Sequence, residues 1–223
     1  MSNLTGAHHA VKFPNNPQGQ RVLINEQVIG RFAQLLEAPC PPVDVVTVSN
    51  DVAGTIHLGS VTAQGGLAHG SRWLESIRQA GSLQDAMAAG SNADRYTRLM
   101  VLFTIVRNTD PQYVQDTAEP YRLWCVDFGH ALTGNPDWTA AALQAEPVPA
   151  NIETVGPLLE EGVLRELRER LEGINDAMLA DCVAPIPDEW GLSIAERDAI
   201  LDFLRRRIDA TILLLPEKEV DAA

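Results

Sequence analysis

From Arg21 to Leu36 the apolar positions Val22, Ile24, Val28, Ile29, Phe32, Leu35 and Leu36 recur at mixed spacings of three and four, which predicts a helix with one buried face. It stops before Pro39-Cys40-Pro41-Pro42, a stiff connector that a helix cannot cross. Ahead of it, Ala10 to Phe13 reads as a short strand leading into a turn at Asn15-Asn16-Pro17-Gln18-Gly19. Beyond the prolines, Val43 to Val48 (VDVVTV) is β-branched and strand-like. Ser91 to Arg107 resumes a helical pattern whose apolar density toward Val106 predicts a central core helix. Tyr121 to Phe128 then reads as a strand, entered from a loop at Asn108 to Pro120 and ended by Gly129. The last third is helical over Ile152 to Leu171 and Ser193 to Leu215, the second opened by a capping box of Ser193 and Glu196 and stopped by Pro216. Asp51 to Gly70, rich in Gly, Thr and Ser, has weak periodicity and reads as irregular strands and loops, with a mobile loop at Gly65 to Gly70.

This order predicts an α+β chain of two lobes: residues 1–48 as a small strand-helix-strand lobe, and residues 49–223 as a mainly helical lobe with a strand pair near its middle. A length of 223 residues with 45% hydrophobic positions is enough for a sizeable core. Seventeen basic against thirty acidic residues give a net charge of -13, a field that repels phosphate backbones and anionic lipid, so neither a nucleic-acid nor a membrane partner is expected. A polyanionic substrate would need a metal ion or a placed Lys to overcome that field locally. Cys40, Cys125 and Cys182 stand far apart without a CxxC pair, which points to a reducing, cytoplasmic setting and to no cysteine-rich zinc site. No apolar run approaches the roughly 20 residues of a membrane helix.

Three features could carry chemistry. Val126-Asp127-Phe128-Gly129 puts a carboxylate at the end of an apolar strand, followed by a Gly that lets the backbone turn, a placement that suits a divalent cation bridging phosphates. Seventeen positions earlier, Asp110 follows the core helix in Arg107-Asn108-Thr109-Asp110, so the chain can return two carboxylates to one cleft. Lys12 ends the first strand, and Glu26 lies fourteen positions on, in the first turns of the helix. Each taken singly has an ordinary structural reading: a helix terminator, a surface Lys, a solvated Glu. Other candidates read as structural: His8 and His9 as a solvated N-terminal pair, His57 and His69 without ligands at metal spacing, His130 as a hydrogen-bonded structural His, Cys125 as inert core, and Arg205-Arg206-Arg207 as a helix's solvated face.

Val11-Lys12-Phe13-Pro14-Asn15-Asn16-Pro17-Gln18-Gly19, Val22-Leu23-Ile24-Asn25-Glu26 and the run into Pro41-Pro42-Val43 resemble the small lobe of the HipA-like kinases, especially their compact bacterial single-domain group. Asn108-Thr109-Asp110 resembles that family's catalytic loop. Val126-Asp127-Phe128-Gly129-His130-Ala131 resembles its metal-binding turn, which is also similar to that of the phosphatidylinositol 3/4-kinases. The resemblance spans about residues 10 to 140. It implies a protein kinase-like fold that binds ATP and Mg²⁺ and transfers a phosphoryl group to a Ser/Thr hydroxyl of a protein substrate. It also implies roles: Lys12 on the ATP phosphates, Glu26 positioning Lys12, Asp110 orienting the acceptor hydroxyl, and Asp127 on magnesium. Where the family has a His and an Asn two and five positions after its catalytic Asp, this chain has Gln112 and Gln115; Gln115 would then serve as the nucleotide- and metal-side oxygen ligand. Eleven residues precede Lys12, short for the two strands and phosphate-covering loop of a full small lobe, so a protein partner completing that lobe is one expectation. A non-catalytic pseudokinase or interaction module, and a lipid or small-molecule kinase, are the alternatives.

Overall fold

The computed structural model describes residues 6–80, 87, 92–154 and 159–217. Strand β1 (His9–Lys12), helix α1 (Arg21–Leu35) and strand β2 (Val43–Val48) follow the expected order. The two strands do not pair with each other. Both pair antiparallel with β5 (Gly66–Arg72), giving a three-stranded sheet in the order β1-β5-β2. The glycine-rich segment expected to be a mobile loop is thus the sheet's central strand. Its glycines obscure the strand pattern because one of them answers a packing demand: a Cβ on Gly70 would lie 2.8 Å from Val46 Cγ1 and 3.2 Å from the His9 ring. The sheet also crosses the expected lobe boundary at residue 48. Between β2 and β5 lie the short helix α2 (Asn50–Ala53) and a hairpin of β3 (His57–Leu58) and β4 (Val61–Thr62), set over a small core of Phe13, Val48, Ala53, Ala63 and Ala68.

A second sheet comprises β6 (Ile77–Gln79), β7 (Gln112–Asp116) and β8 (Leu123–Val126), all antiparallel with β7 in the middle. Strand β7 occupies what reads in sequence as a loop, because its polar QYVQD pattern gains strand structure from partners on both sides rather than from its own propensity. Helix α3 (Asn92–Val106) is the expected core helix, buried almost throughout; Ser91, its predicted first residue, lies outside the described residues.

Helices α4 (Ala140–Ala145), α5 (Glu161–Glu172), α6 (Asp176–Val183) and α7 (Ile194–Ile212) complete the chain. The helix expected from Ile152 begins at Glu161, with residues 155–158 outside the described set, as is most of the charged tail. Ser193 and Glu196 make both bonds of the predicted capping box on α7. The expectation of a solvated Arg205-Arg206-Arg207 face fails at Arg207. That side chain is buried, donating to the carbonyls of Thr104 and Ile105 at 2.6 Å each and to that of Pro147. It thereby caps the C-terminal end of α3, whose last carbonyls have no intrahelical partners. Asn108, Thr109 and Asp110 depart from this fixed end.

Helix α1 departs from the one-faced pattern. Val22, Leu23, Ile24, Val28, Ile29, Phe32 and Ala33 are fully buried, but so are Asn25, Glu26 and Gln27 between them. Packing explains the tight fit: a Cβ on Gly30 would overlap the Val43 side chain of β2, and α6 closes the helix from another side. A helix enclosed on nearly every side must pair each polar group it carries, since an unmet buried donor or acceptor costs about 1–3 kcal/mol. Those pairings assemble the candidate site.

Candidate active site

Asn25, Glu26 and Gln27 point in three directions around α1, and each grips a different segment. Asn25 Nδ2 donates to the carbonyls of Gly129 (2.8 Å) and Ala131 (3.3 Å), while Trp138 Nε1 donates to Asn25 Oδ1 at 2.7 Å. The turn after β8 is therefore tied to α1 by a side chain with no solvent contact. Gln27 Nε2 donates to the Asp44 carbonyl (2.7 Å) and meets His69 Nδ1 at 3.0 Å. With Nδ1 accepting, the His69 proton sits on Nε2, which faces Glu26 Oε2 at 4.0 Å. Burial, with Lys12 nearby, holds the His69 pKa down to about 3, so the ring is a neutral wall of the site.

Glu26 is the hub. Its Oε1 accepts from Lys12 Nζ at 2.6 Å and from the Phe128 N–H at 2.9 Å. Lys12 Nζ also donates to Asp127 Oδ1 at 2.6 Å, and that oxygen accepts the Gly129 N–H at 3.2 Å. Strand β1, helix α1 and the end of β8 thus converge through three of the residues singled out in the sequence. Burial pushes the Glu26 carboxyl up to about 7 against the pull of Lys12. Burial would lower Lys12, but Glu26 and Asp127 outweigh it and raise the ammonium above its ordinary value. Burial would raise Asp127, yet the Lys12 ammonium outweighs it and holds that carboxylate below its ordinary range.

Asp127 takes a left-handed backbone conformation (φ 68°), uncommon for a side-chain-bearing residue and best tolerated by Asn and Asp. This kink turns the chain at the sheet's end and leaves the carboxylate 47% exposed. Gly129 is required two residues on: a Cβ there would lie 2.9 Å from Val22 Cγ1 and close upon Asp127 Oδ1 and Lys12 Nζ. His130 meets Gln18 Nε2 at 3.2 Å, joining this turn to the loop after β1, in keeping with a structural His.

Asp110 is exposed on the segment leaving α3. Asp110 lies two residues before β7 begins and Asp127 directly after β8 ends, and Gln112 pairs with Val126, so Asp110 and Asp127 leave the same end of the β7–β8 pair. Gln115 is not brought to this group. It pairs with Leu123, three residues along β7 from Gln112, the partner of Val126, a rise of about 10 Å. It is buried, donating through Nε2 to the Tyr121 carbonyl at 2.9 Å. The expectation that Gln115 ligates nucleotide or metal therefore gives way: regular strand pairing from Gln112 onward carries it up the sheet. Gln112, opposite Val126, is exposed.

Lys12, Glu26, His69 and Asp127 line a cavity of about 310 Å³ between the two sheets, within the usual range for small-molecule sites. The cavity has a cation held against two carboxylates at one part and apolar walls elsewhere, an arrangement suited to a ligand with an anionic end.

Across the solved structures, this architecture matches a Helicobacter pylori proinflammatory kinase, CtkA, with a TM-score of 0.61, 95% of this chain and 88% of that chain covered, and 13% identity. The fold is kinase-like. At this identity the match speaks for the fold alone. No protein-family model and no curated protein sequence matches the chain.

The donor set also fits a magnesium ion, which takes one or two carboxylates and fills its shell with phosphate and water oxygens. Asp127 offers a half-exposed carboxylate and Asp110 stands at the same hairpin end. In the adjoining segment, Asn108 is buried with neither its Oδ1 nor its Nδ2 bonded to protein. Among the described residues no group of three or more His, Cys, Asp or Glu side chains is placed to hold a metal ion.

Sequence reasoning passed over Asn25 and Gln27, and read His69 as structural without a place beside Glu26. The available signal was three consecutive polar residues inside the apolar run from Val22 to Phe32, which on a helix face three ways and cannot all be solvated if the run is core. His9 and Asp44 were likewise missed as a pair: His9 is buried on β1, with Nε2 at 2.9 Å from Asp44 Oδ2, rather than solvated. No helix among the described residues is long and apolar enough to cross a membrane.

Proposed function

We propose that this chain is a HipA-like kinase, transferring the γ-phosphoryl group of ATP, with Mg²⁺, to a Ser/Thr hydroxyl of a protein. The observation that carries this reading is the convergence of Lys12, Glu26 and Asp127 from three separate elements onto one cavity, at 2.6 Å for both contacts of Lys12. The kinase-like fold supports it, since the Helicobacter protein that shares this architecture is itself described as a kinase.

In this reading the first sheet and α1 form the small lobe. Because β5 is its central strand, that lobe extends past the prolines to about Arg72, and residues 73–76 join it to the larger lobe. Lys12 binds the phosphate chain, and Glu26 holds Lys12 in place. Asp127 would hold the magnesium ion, whose charge would offset that of the transferring phosphate. Asp110 orients the acceptor hydroxyl and takes up its proton as the P–O bond forms, the γ-phosphoryl leaving ADP. The loss of Gln115 from the site favours a second reading, a pseudokinase that binds nucleotide without turnover.

ADP release from ATP and Mg²⁺, in the presence of a Ser/Thr-rich acceptor protein, separates the two. The kinase reading expects steady release that Asp110→Asn slows by about 10²–10⁴-fold, the usual contribution of a positioned proton acceptor, with nucleotide binding unchanged. Release that is absent from the wild type, or equal in the variant, overturns catalysis by Asp110.

A further inference from the structure

A tryptophan that lines a cavity with its ring half in water offers a flat apolar face to a ligand. Trp73 is 53% exposed, on the segment that leaves β5 for β6. Its backbone is not loose, because the Trp73 N–H donates to the His8 carbonyl at 2.9 Å and continues the β1–β5 pairing by one step. In that register His8, Ala10 and Lys12 stand opposite Trp73, Ser71 and His69, and alternation puts all six on one face of the sheet. Ala10, Lys12, His69, Ser71 and Trp73 all line the cavity, together with Val11 and Arg72 between them, so this stretch of the β1–β5 pair is its wall.

Four residues of β1 separate the Trp73 end of the wall from the Lys12 end, about 13 Å along the strand. One end holds the ammonium of Lys12. Around the other, the lining adds the apolar side chains of Pro41, Leu74 and Ile77 to Trp73, with Ser71 and Arg72 as the polar residues beside them. A ligand that spans this wall carries anionic groups at one end and a flat apolar body at the other.

We propose that Trp73 is the residue that binds the base of the nucleotide, by stacking, and that it makes the site prefer purine over pyrimidine nucleotides. This inference rests on the nucleotide reading of the site given above. Stacking scales with ring area, so a two-ring base gains more against the indole than a one-ring base does. Phosphate contacts, by contrast, fall to Lys12 and do not depend on Trp73.

Titration of the intact chain with ATP, GTP, CTP and tripolyphosphate, each with Mg²⁺, tests this by tryptophan fluorescence and by melting temperature. Trp138 and Trp190 are buried and Trp124 lies under Arg95 outside the cavity, so quenching on binding reports Trp73. The proposal expects ATP and GTP to quench and to bind more tightly than CTP. Trp73→Ala should lose the quenching, weaken ATP about tenfold and level the purine preference, with tripolyphosphate affinity unchanged. Trp73→Phe should lose the quenching yet keep most of the affinity. Because the ring is half-exposed, the unliganded variants should melt close to the wild type. Wild-type ATP affinity and purine preference in Trp73→Ala would overturn the role of Trp73 while leaving the nucleotide reading intact. Failure of every nucleotide to bind the wild type would overturn both.

Discussion

Asp127→Asn is expected to remove Mg²⁺-dependent nucleotide turnover, by at least about 10²-fold, while leaving the fold in place. The substitution is nearly isosteric, and Asn tolerates the left-handed backbone at φ 68° as well as Asp does. It removes the negative charge that the phosphate-bridging cation needs, leaving one neutral oxygen where a carboxylate stood. The stability cost is small. Asp127 is half-exposed, so its ion pair with Lys12 is screened and is worth about 0.2–1 kcal/mol, a shift of no more than about 4 °C in a chain of this size. Turnover assays and melting curves on the same sample separate the two effects. Unchanged turnover would remove Asp127 from the chemistry, and a collapse in melting temperature would make its role structural.

Lys12→Met is expected to show a pH-dependent loss of stability, because it leaves Glu26 buried without its cation. Removing one partner of a buried pair costs about 3–5 kcal/mol when the other stays charged. The sign follows from the Glu26 carboxyl, which burial raises to about 7 in the folded chain, above its unfolded value of about 4.3. A raised carboxyl contributes stability that is complete below the unfolded pKa and is lost as pH rises through the folded one. In the wild type that loss is over shortly above pH 7. In the variant, without the ammonium that pulls the value down, the folded pKa lies higher and the loss runs on to more alkaline pH. The stability gap between wild type and variant, measured by denaturant unfolding, should therefore widen as pH rises above about 7. A constant gap, or one that narrows with pH, would mean that Glu26 does not depend on Lys12.

The sequence announced the parts of the fold whose residues follow a period. Helices α1, α3 and α7 and strand β2 carry their patterns in their own residues, and Ser193 with Glu196 marks the start of α7. Strands β5 and β7 do not, because both are central strands stabilised by neighbours distant in sequence: β5 by β1 and β2, β7 by β6 and β8. The lobe boundary placed at residue 48 suffered from the same blindness, since only the pairing of β5 reveals how far the first sheet reaches. Among site residues, Lys12, Glu26 and Asp127 were legible through the resemblance, and their convergence was not, because 115 positions separate Lys12 from Asp127. Gln115 was assigned by counting positions from Asp110, and counting fails once the segment becomes a strand and lengthens to about 3.3 Å per residue. Trp73 carries no motif at all; its meaning comes from its register with His8 and its place at the end of the wall that Lys12 also lines.

The central claim is that the Lys12–Glu26–Asp127 group binds a nucleotide together with a divalent cation, and a melting experiment tests it most directly. The intact chain is heated alone, with Mg²⁺, with ATP, and with both. A ligand that binds only the folded state adds about 2.7 kcal/mol at a hundredfold excess over Kd, so ATP with Mg²⁺ should raise the melting temperature by roughly 5–10 °C. Mg²⁺ alone should have little effect, and the full rise should vanish in Asp127→Asn. A melting temperature that stays the same at millimolar ATP with Mg²⁺ would contradict the account.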